Sequence, residues 1–150
     1  MATYPSAPTI RQEGGAAYYR PADDLVVVPR PESFGSGEEF YSTLFHELGH
    51  STGHGSRLAR EGVVNPARFA SHAYSCEELV AEMAAAFLCG HCGLERTLDN
   101  SAAYIASWLR VLRKDARMVV FAGSQAQKAA DWILGGQRAE EATEALQLAA

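Results

Sequence analysis

Apolar side chains recur at four-residue spacing through Phe40, Leu44 and Leu48, which places them on one face of a helix. Ser36 or Gly37 can cap its start. Glu38 and Glu39 fall in the first turn, where the helix dipole favours negative charge, and Gly53 offers a stop. A second helix is predicted from Ser75 or Cys76 to about Cys89, with Leu79, Met83, Phe87 and Leu88 inward. A third starts at Asn100 or Ser101 with a stripe of Ile105, Trp108, Leu109 and Leu112. A fourth spans residues 115–134, with Val119, Val120, Ala122, Ala126, Ala129 and Ile133 inward, an interruption near Gly123, and Gly135-Gly136 as its end. Residues 139–149 carry a weaker helical pattern.

The N-terminal third has a different rhythm. Leu25-Val26-Val27-Val28 is the clearest strand, stopped by Pro29. Residues 9–11 and 17–19 flank Gly14-Gly15 and read as a small hairpin or as two edge strands. The chain is therefore expected to be α+β: a small antiparallel sheet packed on the first helix, followed by a helical C-terminal half. Residues 1–8 read as a linker, 9–136 as one domain, and 137–150 as a C-terminal helix or tail.

Charge narrows the function. The 150 residues carry 13 Lys and Arg against 18 Asp and Glu, a net charge of −5, which argues against a nucleic-acid-binding surface. Arg110, Arg113, Lys114 and Arg117 cluster, but as a solvated helix face. No apolar run reaches the length of a membrane span, and the N-terminus lacks the features of a signal peptide. Three cysteines, an odd count, suggest reduced thiols and a cytoplasmic setting.

The first predicted helix also carries the chemistry. His46-Glu47-Leu48-Gly49-His50 is an H-E-x-x-H pattern, and residues four apart on a helix can reach one metal ion together. Glu47 is placed beside them to take a proton from water, the arrangement of a zinc metallopeptidase with one Zn2+ per chain. A third ligand is needed. His54 comes two residues too early for the pattern in which a third histidine follows a glycine turn. Glu78-Leu79-Val80-Ala81-Glu82 fits the class in which a second helix supplies a glutamate. Glu78 would bind the metal, and Glu82, on the same face, would accept the other ring N–H of a histidine. Glu77 is the alternative ligand, about 100° away around the helix. His54 and Tyr74 are candidates for the cleft or for donors to an oxyanion. The edge of the strand at Tyr18 or Leu25 could pair with an extended peptide. Cys89-Gly90-His91-Cys92 resembles a redox motif, but it follows a helix instead of opening one, where the dipole would raise a thiol pKa.

Five blocks in order give the chain a family resemblance. They are Gly15-Ala16-Ala17-Tyr18-Tyr19; the stretch from Tyr41 to His54 around the histidines; Glu77-Glu78-Leu79-Val80-Ala81-Glu82; Ala103-Tyr104-Ile105-Ala106-Ser107-Trp108-Leu109; and Ala126-Gln127-Lys128-Ala129-Ala130-Asp131. From Gly14 to about Leu134 the chain resembles the zincin-like metallopeptidase domain of ArdC-type antirestriction proteins, also found in TraC-type primases and phage polyvalent proteins. More distantly it is similar to ImmA/IrrE-type peptidases. The resemblance implies a zincin-like fold, a peptide or protein substrate, and a bacterial cytoplasm carrying a plasmid or phage. It also implies an upstream domain for single-stranded DNA, which is absent here, so this part alone is not expected to bind DNA. The competing expectation is a catalytically silent, metal-stabilised interaction module of an antirestriction protein.

Overall fold

A computed structural model describes residues 4–65, 72–94 and 116–135, with only the backbone at residues 72–75 and 116. The expected third helix, most of the basic cluster and the C-terminal tail lie outside the described residues. Three strands, β1 (Thr9–Gln12), β2 (Tyr18–Arg20) and β3 (Leu25–Val28), precede four helices: α1 (Gly37–Ser51), α2 (Glu61–Val64), α3 (His72–His91) and α4 (Ala116–Ile133). Among the described residues no helix is long and apolar enough to cross a membrane.

The fold is α+β, but the sheet is mixed. Its order is β1-β3-β2, with β1 parallel to β3 and β2 antiparallel to it. The expected fully antiparallel sheet and the hairpin across Gly14-Gly15 are corrected accordingly, while the alternative of two edge strands describes β1 and β2. Burial explains the order. All four residues of β3 are buried, and a continuous apolar run belongs in the middle of a sheet. The half-exposed β1 and β2 take its two edges.

Helix α1 begins at Ser36, whose hydroxyl accepts the N–H of Glu39 at 3.1 Å, while the Glu39 carboxylate accepts the N–H of Gly35 at 3.0 Å. Phe40, Leu44, Phe45 and Leu48 turn inward against Val26, Val28, Leu88, Ala130 and Ile133. A second cluster joins Leu79, Val80 and Ala84 of α3 to Met118, Ala122, Ala126 and Ala129 of α4. Val120 is 75% exposed and Phe87 39%, so both lie outside the faces expected of them; the buried stripe of α4 is set by Met118 and the alanines instead. Helix α4 also runs unbroken through Gly123. Tyr4, in the stretch read as a linker, is buried, and its hydroxyl lies 2.8 Å from Ser51 Oγ.

One contact sets the separation of α1 and α3. A Cβ on Gly49 would lie 3.1 Å from Ala81 Cα and 3.2 Å from Ala81 O. The two backbones cross as closely as these small residues allow. Because the obstructing atoms are backbone, they cannot rotate away. Gly49→Ala should therefore lower stability by about 1 kcal/mol or more in thermal or urea unfolding, overriding the helix-propensity gain of about 1 kcal/mol that alanine brings. An unchanged or raised stability would show that the crossing is loose.

Candidate metal centre

His46 and His50 stand one turn apart on α1, their Nε2 atoms 3.1 Å apart. Glu78 reaches over from α3. Its Oε2 lies 3.6 Å from His46 Nε2 and its Oε1 lies 3.5 Å from His50 Nε2. These three side chains form a group of donors all within 4.8 Å of one another. A tetrahedral ion with bonds of ~2.0–2.1 Å to nitrogen and oxygen needs donors about 3.3 Å apart. The two Nε2 atoms lie 3.1 Å apart, and each lies 3.5–3.6 Å from one oxygen of the Glu78 carboxylate, separations of that size.

The outer ring nitrogens face carboxylates. His46 Nδ1 lies 3.2 Å from Glu82 and His50 Nδ1 lies 3.3 Å from Glu77. An ionised carboxylate can only accept, so in a neutral imidazole here Nδ1 carries the ring proton and Nε2 turns its lone pair toward the triangle. Three acceptors then converge with no donor of their own, which suits a cation. When a proton fills that role, burial opposes the charge on His46, but the neighbouring Glu78 and Glu82 carboxylates prevail and push its pKa up to about 10.

Glu77 and Glu78 divide the work that the sequence left open between them. Glu77 touches the far nitrogen of His50 and is itself gripped by Arg60, with Nε donating to Oε2 at 2.9 Å and an Nη2 N–H donating to Oε1 at 2.6 Å. Burial pushes the Glu77 carboxyl up, but the Arg60 and His50 hydrogen bonds outweigh it and hold the pKa below the usual range.

Glu47 is 8% exposed. Burial pushes its carboxyl up, against the pull of His50 and His46, with the Glu78 charge adding to the rise and the Tyr19 backbone opposing it. Glu47, His46, His50 and Glu78 line one cavity of about 460 Å³, walled by Tyr18, Tyr19 and Val63. The bordering strand is β2. Among the described residues it pairs only with β3, whereas β3 is paired on both sides, so the Leu25 strand offers no free edge. His54 is not among the lining residues; its Nδ1 accepts the N–H of Ser56 at 3.2 Å. Tyr74 falls in the first turn of α3, and its side chain lies outside the described residues.

Two residues escaped the sequence reading. Arg57 and Arg60 are each 8% exposed. They take up carbonyls that the end of α1 leaves without helical partners. Arg57 Nε donates to Ser51 O at 2.7 Å and Arg60 Nη2 to Gly49 O at 2.8 Å. Arg57 also pairs with Asp24 and donates to Ser6 O at 2.7 Å, tying the turn before β3 to α1. Gly53 follows the helix end as expected, but not in the left-handed conformation. A Cβ there would lie 2.5 Å from Val63 Cγ2. The only signal for either arginine was its place just past a helix C-terminus, where cations are favoured.

A family model described as zincin-like metallopeptidase matches residues 4–125. The chain belongs to that family. It is 41% identical over 125 residues to the uncharacterized protein y4eC of Sinorhizobium fredii, covering 83% of this chain and 40% of that protein. It is 39% identical over 130 residues to the DNA primase TraC of Escherichia coli, covering 86% of this chain and 12% of the primase. Two crystal structures of the antirestriction protein ArdC from plasmid R388 superpose with 42% identity. The metal-free form has a TM-score of 0.67 over 84% of this chain and 45% of that one, and the Mn(II)-bound form has 0.68 over 84% and 46%. The chain thus spans less than half the length of each of these relatives.

The Asp24–Arg57 tie makes a pH-dependent contribution. The Arg57 hydrogen bond, helped by Tyr19, holds the Asp24 carboxyl below its ordinary range in spite of partial burial. A depressed folded pKa stabilises fully above the unfolded value of about 4 and is lost as pH falls through the folded one. Asp24→Asn should thus be less stable than wild type near pH 7, with the gap closing below about pH 4. Urea midpoints at the two pH values test this, and a gap that does not narrow in acid would refute it.

Proposed function

We propose that this domain is a zinc-dependent endopeptidase in which His46, His50 and Glu78 hold one ion and Glu47 is the general base. The observation that carries the reading is the donor triangle set in a cleft that also contains Glu47. A divalent ion bound there supplies Lewis acidity toward a carbonyl oxygen and makes water acidic enough to lose a proton near neutral pH. Glu47 accepts the proton of the attacking water and delivers it to the leaving amine. Its burial, which raises proton affinity, suits both halves of that task. Glu77 and Glu82 hold the imidazoles in the tautomer that leaves Nε2 free. The free edge of β2 offers main-chain hydrogen bonds to an extended peptide or protein substrate.

Nitrogen and carboxylate donors also suit manganese, and one ArdC structure holds Mn(II), so zinc is a preference within this reading. The relatives favour a role in an antirestriction or other mobile-element protein of the bacterial cytoplasm. The acidic net charge of −5 favours leaving any DNA contact to a different domain of such a protein. A second reading keeps the ion but not the turnover. The triangle joins α1 to α3, so a bound ion would clamp the two helices in a silent interaction module.

Native mass spectrometry should find one metal ion on wild type and little or none on Glu78→Ala. Glu47→Gln should keep the ion and lose peptide cleavage by about 100-fold or more, the usual scale for a general base. A metal-free wild type refutes the site. Cleavage or antirestriction activity indifferent to Glu47→Gln would favour the silent module.

A further inference from the structure

We infer that Arg60 is a positioning residue of the metal centre, acting through Glu77 on the imidazole of His50. This rests on the reading of His46, His50 and Glu78 as ligands. The two histidines are not held alike. His46 Nδ1 meets Glu82, whose carboxylate borders an open pocket beside Ser42 and Thr43. Among the described residues no arginine or lysine pairs with Glu82. His50 Nδ1 meets Glu77 Oε1, and that same oxygen accepts an N–H from Arg60 at 2.6 Å while Oε2 accepts another at 2.9 Å. A bidentate fork of this kind fixes the plane of the carboxylate as well as its place.

The guanidinium is itself held rigidly. Its Nη1 donates to Thr52 Oγ1 at 2.6 Å and its Nη2 to Gly49 O at 2.8 Å, both at the end of the helix that carries His50. Its backbone N–H donates to Gly53 O at 3.0 Å. The preceding residue, Ala59, sits at a φ of 47°, a left-handed conformation that costs a non-glycine residue energy and is kept only where surroundings impose it. The loop after α1 is thus bent to return Arg60 to the helix it has just left. The path runs from Arg60 to Glu77 to His50. A simple helix-capping role would need the carbonyl contacts but not the fork.

The test uses Zn2+ affinity, by competition with a chromophoric chelator, on wild type, Arg60→Lys, Glu77→Gln and the double variant. The Co2+ absorption spectrum and metal-free melting temperature of each accompany it. Each single variant should bind Zn2+ about 10- to 100-fold more weakly, as is usual when a partner of a metal-bound histidine is removed. Its Co2+ spectrum should shift. The double variant should be no weaker than the weaker single one, because both substitutions cut the same path. Losses that multiply overturn the relay. So does a lowered melting temperature with unchanged affinity, which a purely structural tie would give. If Arg60→Lys does not fold, Glu77→Gln decides alone: wild-type affinity and spectrum overturn the inference. A wild type that takes up neither ion removes the metal reading and the relay together. A wild type that binds, with variants that bind equally, removes only the relay.

Discussion

The site exists because two helix backbones touch. Imidazoles on α1 and carboxylates on α3 can share an ion only if the axes pass close enough for short side chains to meet between them. Gly49 and Ala81 permit that approach, with Cα and O of Ala81 just over 3 Å from where a Gly49 Cβ would be. Each lies within the motif it serves: Gly49 immediately before His50, and Ala81 immediately before Glu82 and three residues after Glu78. Small residues at the crossing and polar residues beside it are therefore parts of a single requirement. The apolar clusters on either side, Phe40 to Leu48 against β3 and Leu79 to Ala84 against α4, keep both helices pressed to that contact.

Electrostatics pulls the other way. Glu47, Glu77, Glu78 and Glu82 crowd two histidines in a largely buried space, and uncompensated buried carboxylates are costly. Arg60 neutralises one of them directly. The Glu78 and Glu82 carboxylates raise the proton affinity of His46 against its burial, and so favour positive charge on its ring. A divalent ion would answer the same demand at the same atoms, and its uptake would then release a proton.

Much of this was legible in order along the chain, because the period of a helix is a strong rule. Four-residue spacing placed His46 with His50 and Glu78 with Glu82, and each pair lies on a single face. What spacing could not supply was rotation. Glu77 and Glu78 are adjacent, and choosing between them needed the roll of α3 about its own axis, set by packing against α4. Both reach His50, but at opposite nitrogens of the ring. The same uncertainty in roll misplaced Val120 and Phe87. In the sheet, a turn signal at Gly14-Gly15 suggested pairing of its neighbours. The fully buried β3 displaced that local preference by taking the central place between them. The arginines were hardest to read, since they join main-chain carbonyls, which leave no mark in a sequence, to acids far away along the chain, Asp24 for Arg57 and Glu77 for Arg60.

This division of labour bears on how such a domain can vary. The donor triangle and its supporting acids come from α1 and α3 alone, whose geometry is locked by the crossing. The cleft walls come from elsewhere: Tyr18 and Tyr19 on an edge strand, and Gly62 and Val63 on the short α2. Substitutions in those walls change what fits without moving a ligand, except where a wall residue is also a support. Gly53 is one such place, since a side chain there would strike both Val63 and the Arg60 guanidinium. Residues 53–60 thus couple the shape of the cleft to the stiffness of the metal centre. Their strained return path at Ala59 is the structural cost of joining the two.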